Sequence, residues 1–170
     1  KIFPIKEKKM SSIFIGRLEP QKGITELIDI WPVGESLIVV GDGVFKDAIK
    51  QKAYKRGLDL KFIDQLDHGK LMELLSTCEC LVNWSDFEGN PKVILEALFL
   101  GVPVIAKNAA GVREIMNCGK FGYMVKDKQD LEKALKKVIF YELKISEVKD
   151  VLSSSTFDYT LKQNLKFLNK

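Results

Sequence analysis

Two glutamates, Glu88 and Glu96, lie eight positions apart on either side of a Gly-Asn-Pro turn. The turn predicts the start of a helix, because Asn90 can cap the first turn and Pro91 suits a position whose N–H would have no partner. Glu88 would then lie in the loop before the helix, and Glu96 about one and a half turns inside it. Unpaired backbone N–H groups and the helix dipole between the two carboxylates favour an anion. A phosphate there, flanked by hydroxyl groups that donate to both carboxylates, matches the chemistry of a nucleotide sugar.

A second segment, residues 16–23, places two cations at the turn after an apolar run. Arg17 can donate to two phosphate oxygens at once, and Lys22 would add a point charge at the start of the next helix. A cation at a helix N-terminus opposes the helix dipole, so another interaction must explain Lys22. Surface solvation is the alternative for this segment alone. Together with the segment that holds Glu88 and Glu96, it favours phosphate binding.

Short apolar runs alternate with amphipathic stretches along the whole chain. They predict strands at residues 12–15, 36–40, 60–63, 80–83, 103–106 and 122–125. Helices are predicted at residues 23–31, 44–56, 70–77, 91–100, 112–117, 130–141 and 157–168. Strands that are apolar on both faces are typical of a sheet buried between two helix layers. The pattern therefore predicts an α/β fold with a Rossmann-like, doubly wound parallel sheet.

Polar and glycine residues follow four of the predicted strands. They are Gly16 and Arg17, Gly41 to Gly43, Asp64 to Leu66, and Ser85 to Pro91. Gly41-Asp42-Gly43 lacks the third glycine of a dinucleotide fingerprint, since Lys46 occupies that place, and a tight turn is the favoured interpretation. Ligands of doubly wound sheets bind beyond the carboxyl ends of the strands. These segments therefore predict a single site.

Two more residues close to this site have ordinary interpretations. His68, the single histidine, falls at a loop–helix junction with no nucleophile motif beside it, which favours a surface or capping role over catalysis. Trp84 is interpreted as a packing residue, and a role in shaping the pocket stays open. Basic residues interleaved with exposed aromatics are missing from the sequence, which argues against a nucleic-acid partner.

Composition narrows the class of protein further. The 170 residues fit one domain, and a hydrophobic content of 46% argues against disorder. The net charge of +4 comes from scattered lysines and fits a solvated surface, with weak attraction to an anionic membrane as the alternative. Cys78, Cys80 and Cys118 follow no disulfide or zinc pattern, as expected in a reducing cytoplasm. No metal site and no cofactor are predicted, because hard-cation sites have denser carboxylates than Glu88 and Glu96.

Taken together, these segments resemble the C-terminal, donor-binding domain of a GT-B glycosyltransferase of family 4, the glycosyl transferases group 1 set. The resemblance covers residues 12–135, most of the chain. Two glutamates with seven residues between them are a weak pattern, but the ordered series of motifs is highly specific. The series is GRL-x-x-x-KG at 16–23, VGDG at 40–43, S-x-x-EG-N-P at 85–91, LEAL at 95–98, GVPVIA at 101–106, AGVREI at 110–115 and GYMV at 122–125.

The resemblance implies a role for each matching residue. Arg17 and Lys22 would hold the donor diphosphate and stabilise the departing nucleotide, in agreement with the charge that develops there in the transition state. Glu88 would bind hydroxyls of the donor sugar, and Glu96 those of the ribose. The implied catalytic residues are Arg17, Lys22 and Glu88. The implied donor-binding residues are Gly16, Arg17, Lys22, Gly41, Gln65 and Leu66 beside the base, Glu88, Gly89, Asn90, Pro91 and Glu96.

The resemblance also implies an activity. It indicates a glycosyltransferase of the hexosyltransferase type, which transfers sugar from a nucleotide-diphospho-sugar to a glycan or lipid-linked acceptor with retention of configuration and without a metal. Residues 1–10 are interpreted as a linker remnant and residues 11–154 as the donor domain. Residues 155–170 would form a helix that packs toward an N-terminal acceptor domain. The expected location is the cytoplasm, with a peripheral position at the inner membrane face.

Two departures from the family pattern keep other functions open. The acceptor domain, with its cleft histidine and glycine-rich loop, is not part of these residues, so the segment alone is expected to be inactive. Ala110 replaces the first glycine of a usual Gly-Gly pair and is expected to limit backbone approach at that turn. The alternatives are a non-catalytic nucleotide-sugar-binding module and a nucleotide-sugar epimerase of the same architecture.

Overall fold

A computed structural model describes residues 11–89, 91–116, 119–139 and 141 of the chain. They form an α/β fold around a six-stranded sheet in which every pairing is parallel. The strands are β1 (Ser12–Ile15), β2 (Leu37–Val40), β3 (Leu60–Ile63), β4 (Cys80–Asn83), β5 (Val104–Lys107) and β6 (Gly122–Val125). The helices are α1 (Ile24–Ile30), α2 (Lys46–Lys55), α3 (His68–Ser76), α4 (Lys92–Phe99), α5 (Val112–Ile115) and α6 (Lys128–Val138), with a 3₁₀ helix at Pro20–Lys22. The predicted fold class is confirmed.

The strand order is β3-β2-β1-β4-β5-β6. From β1 the chain builds outward to β3, then returns to the other side of β1 and builds outward again from β4 to β6. The loops that follow β1 and β4 consequently leave toward opposite faces and open a crevice between them. This reversal is the topological switch point at which doubly wound sheets bind ligands.

Two apolar cores cover the two faces of the sheet. Ile13 of β1 lies in the core with α3, α4 and α5, whereas its neighbour Phe14 lies in the core with α1, α2 and α6. The same alternation holds in β4, where Leu81 joins the first core and Val82 the second. Because successive strand side chains point to opposite faces, a strand buried on both sides has a continuous apolar run. This is why the strands could be located in the sequence.

The strands lie close to their predicted positions. Four have the predicted bounds, while β2 begins one residue later and β5 is shifted by one residue. The helices differ more at their starts, because caps rather than periodicity set them. Asp67 accepts a hydrogen bond from the backbone N–H of Lys70 at 3.0 Å, so α3 begins at His68 instead of residue 70. Asp127 caps α6 in the same way through Asp130, and α6 begins at residue 128.

The start of α4 also differs from its prediction. Pro91 occupies the N-cap position instead of the first helical turn, and no side chain caps the helix there. Asn90, the predicted cap, lies outside the described residues. The 3₁₀ helix before α1 has no counterpart in the predicted elements. The predicted linker at residues 1–10, the end of the predicted 112–117 helix and the helix at 157–168 lie outside the described residues, so the domain limits stay predictions.

Candidate functional site

A hydrogen-bonded ion pair joins the two loops at the switch point. The Nζ atom of Lys22 donates to Oε1 of Glu88 at 2.6 Å, and their side chains are 23% and 9% exposed. Lys22 ends the 3₁₀ helix that follows β1, and Glu88 lies in the loop between β4 and α4. The pair supplies the interaction that explains a cation so close to the start of α1. The sequence placed both residues in one site but did not predict that they bind each other.

The carboxylate of Glu88 has further partners from its own loop. Ser85 Oγ donates to Oε1 at 2.6 Å, and Asn83 Nδ2 lies 3.4 Å from the same oxygen. Burial acts to raise the pKa of Glu88, but the hydrogen bonds from Lys22 and Ser85 outweigh it and hold this pKa below its ordinary value. Glu88 is therefore ionised and accepts hydrogen bonds only. The hydrogen bonds from described side chains all reach Oε1, so Oε2 can accept from another hydroxyl.

The loop after β5 fixes the backbone of Glu88. Its N–H donates to the carbonyl of Ala110 at 3.3 Å, and Gly111 has a φ of 79°. A Cβ on Gly111 would lie 1.7 Å from the carbonyl oxygen of Glu88, so only glycine fits at this point. Ala110 itself is exposed. Gly111 makes the close backbone approach to Glu88 at this turn, and the expected effect of Ala110 on that approach stays a prediction.

The loops after β1, β2 and β3 also lie against one another. The N–H groups of Gly16 and Gly41 donate to Val40 and Ile63, each at 3.0 Å, and extend the ladder beyond the strands. A Cβ on Gly41 would lie 2.0 Å from the carbonyl oxygen of Gly16. The two predicted donor-binding glycines are therefore in backbone contact.

A lysine links the loops that follow β2 and β3. Lys46 Nζ lies 2.6 Å from Asp64 and 3.4 Å from Asp42, and both carboxylates act to raise its pKa. Lys46 occupies the place of the third glycine in a dinucleotide fingerprint. Next to this link, Gln65 is exposed and Leu66 packs against the core with α3 and α4. The segment predicted to border the base is thus anchored on both sides.

Glu96 lies on α4, close to His68 at the start of α3. His68 Nε2 is 3.8 Å from Glu96 Oε1, and the two side chains are 43% and 14% exposed. Burial raises the pKa of Glu96, and the charges of His68 and Lys92 only partly oppose this. The sequence did not connect His68 with Glu96. The cap at Asp67 was the available signal, because it fixes His68 at the first position of a helix that packs beside α4.

The remaining predicted site residues are placed as follows. Arg17 is exposed, and its guanidinium pairs with Glu19 at 3.1 Å. Gly89 is exposed and Pro91 is buried, with the carbonyl of Pro91 accepting from Ile94 at 2.9 Å. The first N–H groups of α4 precede this bond and have no helical partner. The described residues thus bring Lys22 and Glu88 into contact, whereas Arg17 is exposed and pairs with Glu19.

Other features of the described residues bear on the kind of site. They contain no group of three or more His, Cys, Asp or Glu side chains that could hold a metal ion. None of their helices is long and apolar enough to cross a bilayer. A groove of about 560 Å³ lies between α1 and α2, with Phe45 on one wall and Asp86 at one end. None of the predicted donor-binding residues lines this groove.

Comparison with known proteins identifies the family. Residues 1–148 match the model of the family described as glycosyl transferases group 1. The chain belongs to this family. It is 30% identical over 118 residues to a glycogen synthase of Mycobacterium tuberculosis, a match that covers 65% of this chain and 28% of that protein. The chain spans about a third or less of the length of the first relatives it matches.

Solved structures with the same fold are GT-B glycosyltransferases. HepE of Anabaena, in a complex with UDP and glucose, has a TM-score of 0.74 and 25% identity, with coverage of 95% of this chain and 48% of HepE. A mutant of TarM from S. aureus, in a complex that includes UDP, has a TM-score of 0.78 and 19% identity. That match covers 100% of this chain and 38% of TarM. At this identity TarM supports the fold alone, which agrees with the parallel sheet described above.

The glycine at position 111 gives a test of how the Glu88 loop is held. Gly101 also has a positive φ, of 72°, but nothing lies within 4 Å of a Cβ there. Gly101→Ala should therefore destabilise the fold by about 1 kcal/mol through backbone strain. Gly111→Ala should cost about 1–3 kcal/mol more, because its Cβ also displaces the Glu88 carbonyl. Chemical denaturation of both variants measures the difference, and equal losses would show that the close approach is not a constraint.

Glu96 should lower the stability of the protein at neutral pH. Folding raises the pKa of Glu96 and so favours its protonated carboxyl group. The contribution of this group to the free energy of unfolding is therefore complete below the pKa of the unfolded chain and is lost as pH rises through the folded-state pKa. Glu96→Gln should increase the free energy of unfolding at pH 7, and this gain should disappear at acidic pH. Urea titrations at several pH values test this, with the exposed Glu114→Gln as the control. A loss of stability at pH 7 would contradict the assignment.

Proposed function

We propose that this chain is the donor-binding domain of a glycosyltransferase that uses a nucleotide-diphospho-sugar. The observation that carries the proposal is the ion pair between Lys22 and Glu88 at the switch point of the sheet. It places a cation and an ionised carboxylate side by side where such sheets bind ligands. Membership of the glycosyl transferases group 1 family and the fold shared with HepE, whose solved complex contains UDP and glucose, support the same function.

The diphosphate would lie along the loop after β1 and the start of α4. Lys22 presents an ammonium group there, and the unpaired N–H groups of α4 add donors for phosphate oxygens. Arg17 is paired with the partly exposed Glu19, a type of contact worth little in water, so its guanidinium can turn to a phosphate. Negative charge grows on the departing nucleoside diphosphate during transfer. Lys22 and Arg17 would stabilise that charge without a metal.

The donor sugar would bind at Glu88. Its lowered pKa keeps the carboxylate ionised, and Oε2 can accept from a sugar hydroxyl while Oε1 remains bound to Lys22. A carboxylate that is held by three donors has little freedom, so it would orient the sugar instead of following it. Gly89, in the exposed part of the same loop, would let the sugar approach the backbone.

The nucleoside would extend toward α3 and α4. Glu96 would accept hydrogen bonds from the ribose hydroxyls, which would satisfy a carboxylate that is otherwise poorly solvated. His68 lies next to this carboxylate and would contact the same end of the nucleotide. Gln65 and Leu66 would border the base, and the backbones of Gly16 and Gly41 would line the floor between base and diphosphate. Asn90 and Pro91, which follow Gly89 in the chain, complete the proposed set.

The transfer itself requires an acceptor. The chain spans about a third or less of its first relatives, so the acceptor-binding half is proposed to lie outside these residues, N-terminal to them. The reaction would move a hexose to a glycan or lipid-linked acceptor with retention of configuration.

The buried thiol of Cys78 donates to the carbonyl of Leu74 at 3.3 Å. A reduced thiol of this kind fits the proposed location, which is the cytoplasm with a peripheral position at the inner membrane face.

A nucleotide titration tests the donor site directly. Among UDP, GDP, ADP and CDP, one should bind selectively to the purified protein. Glu96→Ala should weaken that binding by about 10- to 100-fold, because it removes hydrogen bonds to a charged group. Glu114→Ala, an exposed change on α5, is the control and should leave the affinity unchanged. Absence of binding by all four nucleotides would overturn the proposed function.

The two cations give a test of the chemical step in the full-length protein. Arg17→Met should lower kcat by about 100-fold or more through loss of leaving-group stabilisation. Lys22→Met should lower it at least as far, since it also leaves the Glu88 carboxylate without its cation. Lys55→Met, an exposed change at the end of α2, is the matched control. Unchanged turnover in both Arg17→Met and Lys22→Met would rule out this role.

A further inference from the structure

Lys107, the last residue of β5, binds two carboxylates at the carboxyl edge of the sheet. Its Nζ atom lies 2.6 Å from Glu26 Oε2 on α1 and 2.7 Å from Asp86 Oδ1 in the loop after β4. The side chain is 22% exposed, and Nζ lies 5.9 Å from the centre of the Trp84 ring. Trp84 is fully buried in the core beside α1. One ammonium group therefore connects three elements around a rigid aromatic ring.

These connections surround the ion pair of the donor site. Asp86 precedes Glu88 by two residues, and its N–H donates to the carbonyl of Gln21, the neighbour of Lys22, at 3.3 Å. Glu26 lies four residues after Lys22, in the first turn of α1. Lys107 consequently holds the loop that carries Glu88 against the segment that carries Lys22.

The arrangement favours a role in geometry over a role in overall stability. The Glu26 and Asp86 side chains are 51% and 63% exposed, and ion pairs with such exposure contribute little to the free energy of folding. Burial acts to lower the pKa of Lys107, yet the two carboxylates more than offset it and raise this pKa. The lysine is thus charged at every physiological pH, and its two hydrogen bonds fix the direction of both partner segments.

We propose that Lys107 is a positioning residue that keeps Glu88 and Lys22 together in the geometry that binds the diphosphate and sugar of the donor. This inference rests on the proposed function. Lys107 acts through Asp86 and Glu26 and does not touch the donor. Glu96, on α4, lies outside the segments that Lys107 holds. Loss of Lys107 should therefore affect the diphosphate–sugar end of the ligand and spare the nucleoside end.

The test compares three ligands that share one base. Calorimetric titrations of the full-length protein would use the nucleoside monophosphate, the nucleoside diphosphate and the nucleotide sugar of the base that the wild type selects. The nucleotide sugar would be UDP-glucose, ADP-glucose or GDP-mannose, according to that base. Lys107→Met should raise the Kd of the nucleotide sugar by about tenfold, because Lys22 and Glu88 would no longer be held in the geometry that binds its diphosphate and sugar. The Kd of the monophosphate should stay within about twofold of its wild-type value, a change in binding free energy smaller than RT.

Four further variants separate positioning from general destabilisation. Lys107→Arg keeps the charge and should restore most of the affinity for the nucleotide sugar. Asp86→Asn and Glu26→Gln change exposed side chains and should weaken nucleotide-sugar binding in the same selective way, even if Lys107→Met folds poorly. Lys52→Met removes a comparable pair with Asp29, between α1 and α2 and away from the donor site, and should change no Kd.

The outcomes distinguish this inference from the proposed function. If the wild type binds neither nucleotides nor nucleotide sugars, the proposed function and the role of Lys107 are both wrong. If the wild type binds a nucleotide sugar but Lys107→Met, Asp86→Asn and Glu26→Gln bind it equally well, the role of Lys107 alone is wrong. The same conclusion follows if these variants weaken the monophosphate and the nucleotide sugar by the same factor.

Discussion

The structure of the candidate site depends on the burial of one charge. Glu88 is only 7% exposed, and an ionised carboxylate at such a position is strongly unfavourable unless donors replace its water. Lys22, Ser85 and Asn83 supply those donors. Lys22 comes from the loop after β1, so the charge can be satisfied only when that loop and the loop after β4 lie side by side. The site therefore depends on the strand order, because that order brings the loop that carries Lys22 next to the loop that carries Glu88.

The same physical arrangement recurs along the carboxyl edge of the sheet. Lys46 spans carboxylates on the loops after β2 and β3, and Lys107 spans carboxylates on α1 and the loop after β4. With Lys22, three lysines thus bridge segments that are distant in sequence and adjacent in space. Parallel strands end at a common edge of the sheet, where the loops that follow them converge. Ion pairs hold this edge in shape, while the two apolar cores hold the sheet.

The fold could be predicted from the sequence to a large extent, whereas the contacts within the site could not. Continuous apolar runs located the strands, because that signal depends on neighbouring residues, whereas α3 begins at His68, two residues before its predicted start. The bond between Lys22 and Glu88 spans 66 positions, and the Lys107–Glu26 contact spans 81. Such contacts follow from strand order and loop direction, which no local pattern encodes. The motif series identified the family, and the ligand roles of its residues stay predictions.

The donor site can be tested directly by a crystal structure of the protein with the nucleotide sugar that it binds. The diphosphate should lie beside Lys22 and the first turn of α4, with a sugar hydroxyl on Glu88 Oε2 and the ribose hydroxyls on Glu96. The bond between Lys22 and Glu88 should persist in the complex. A ligand bound in the groove between α1 and α2, or one that leaves Glu88 without a contact, would show that Lys22 and Glu88 do not form the donor site.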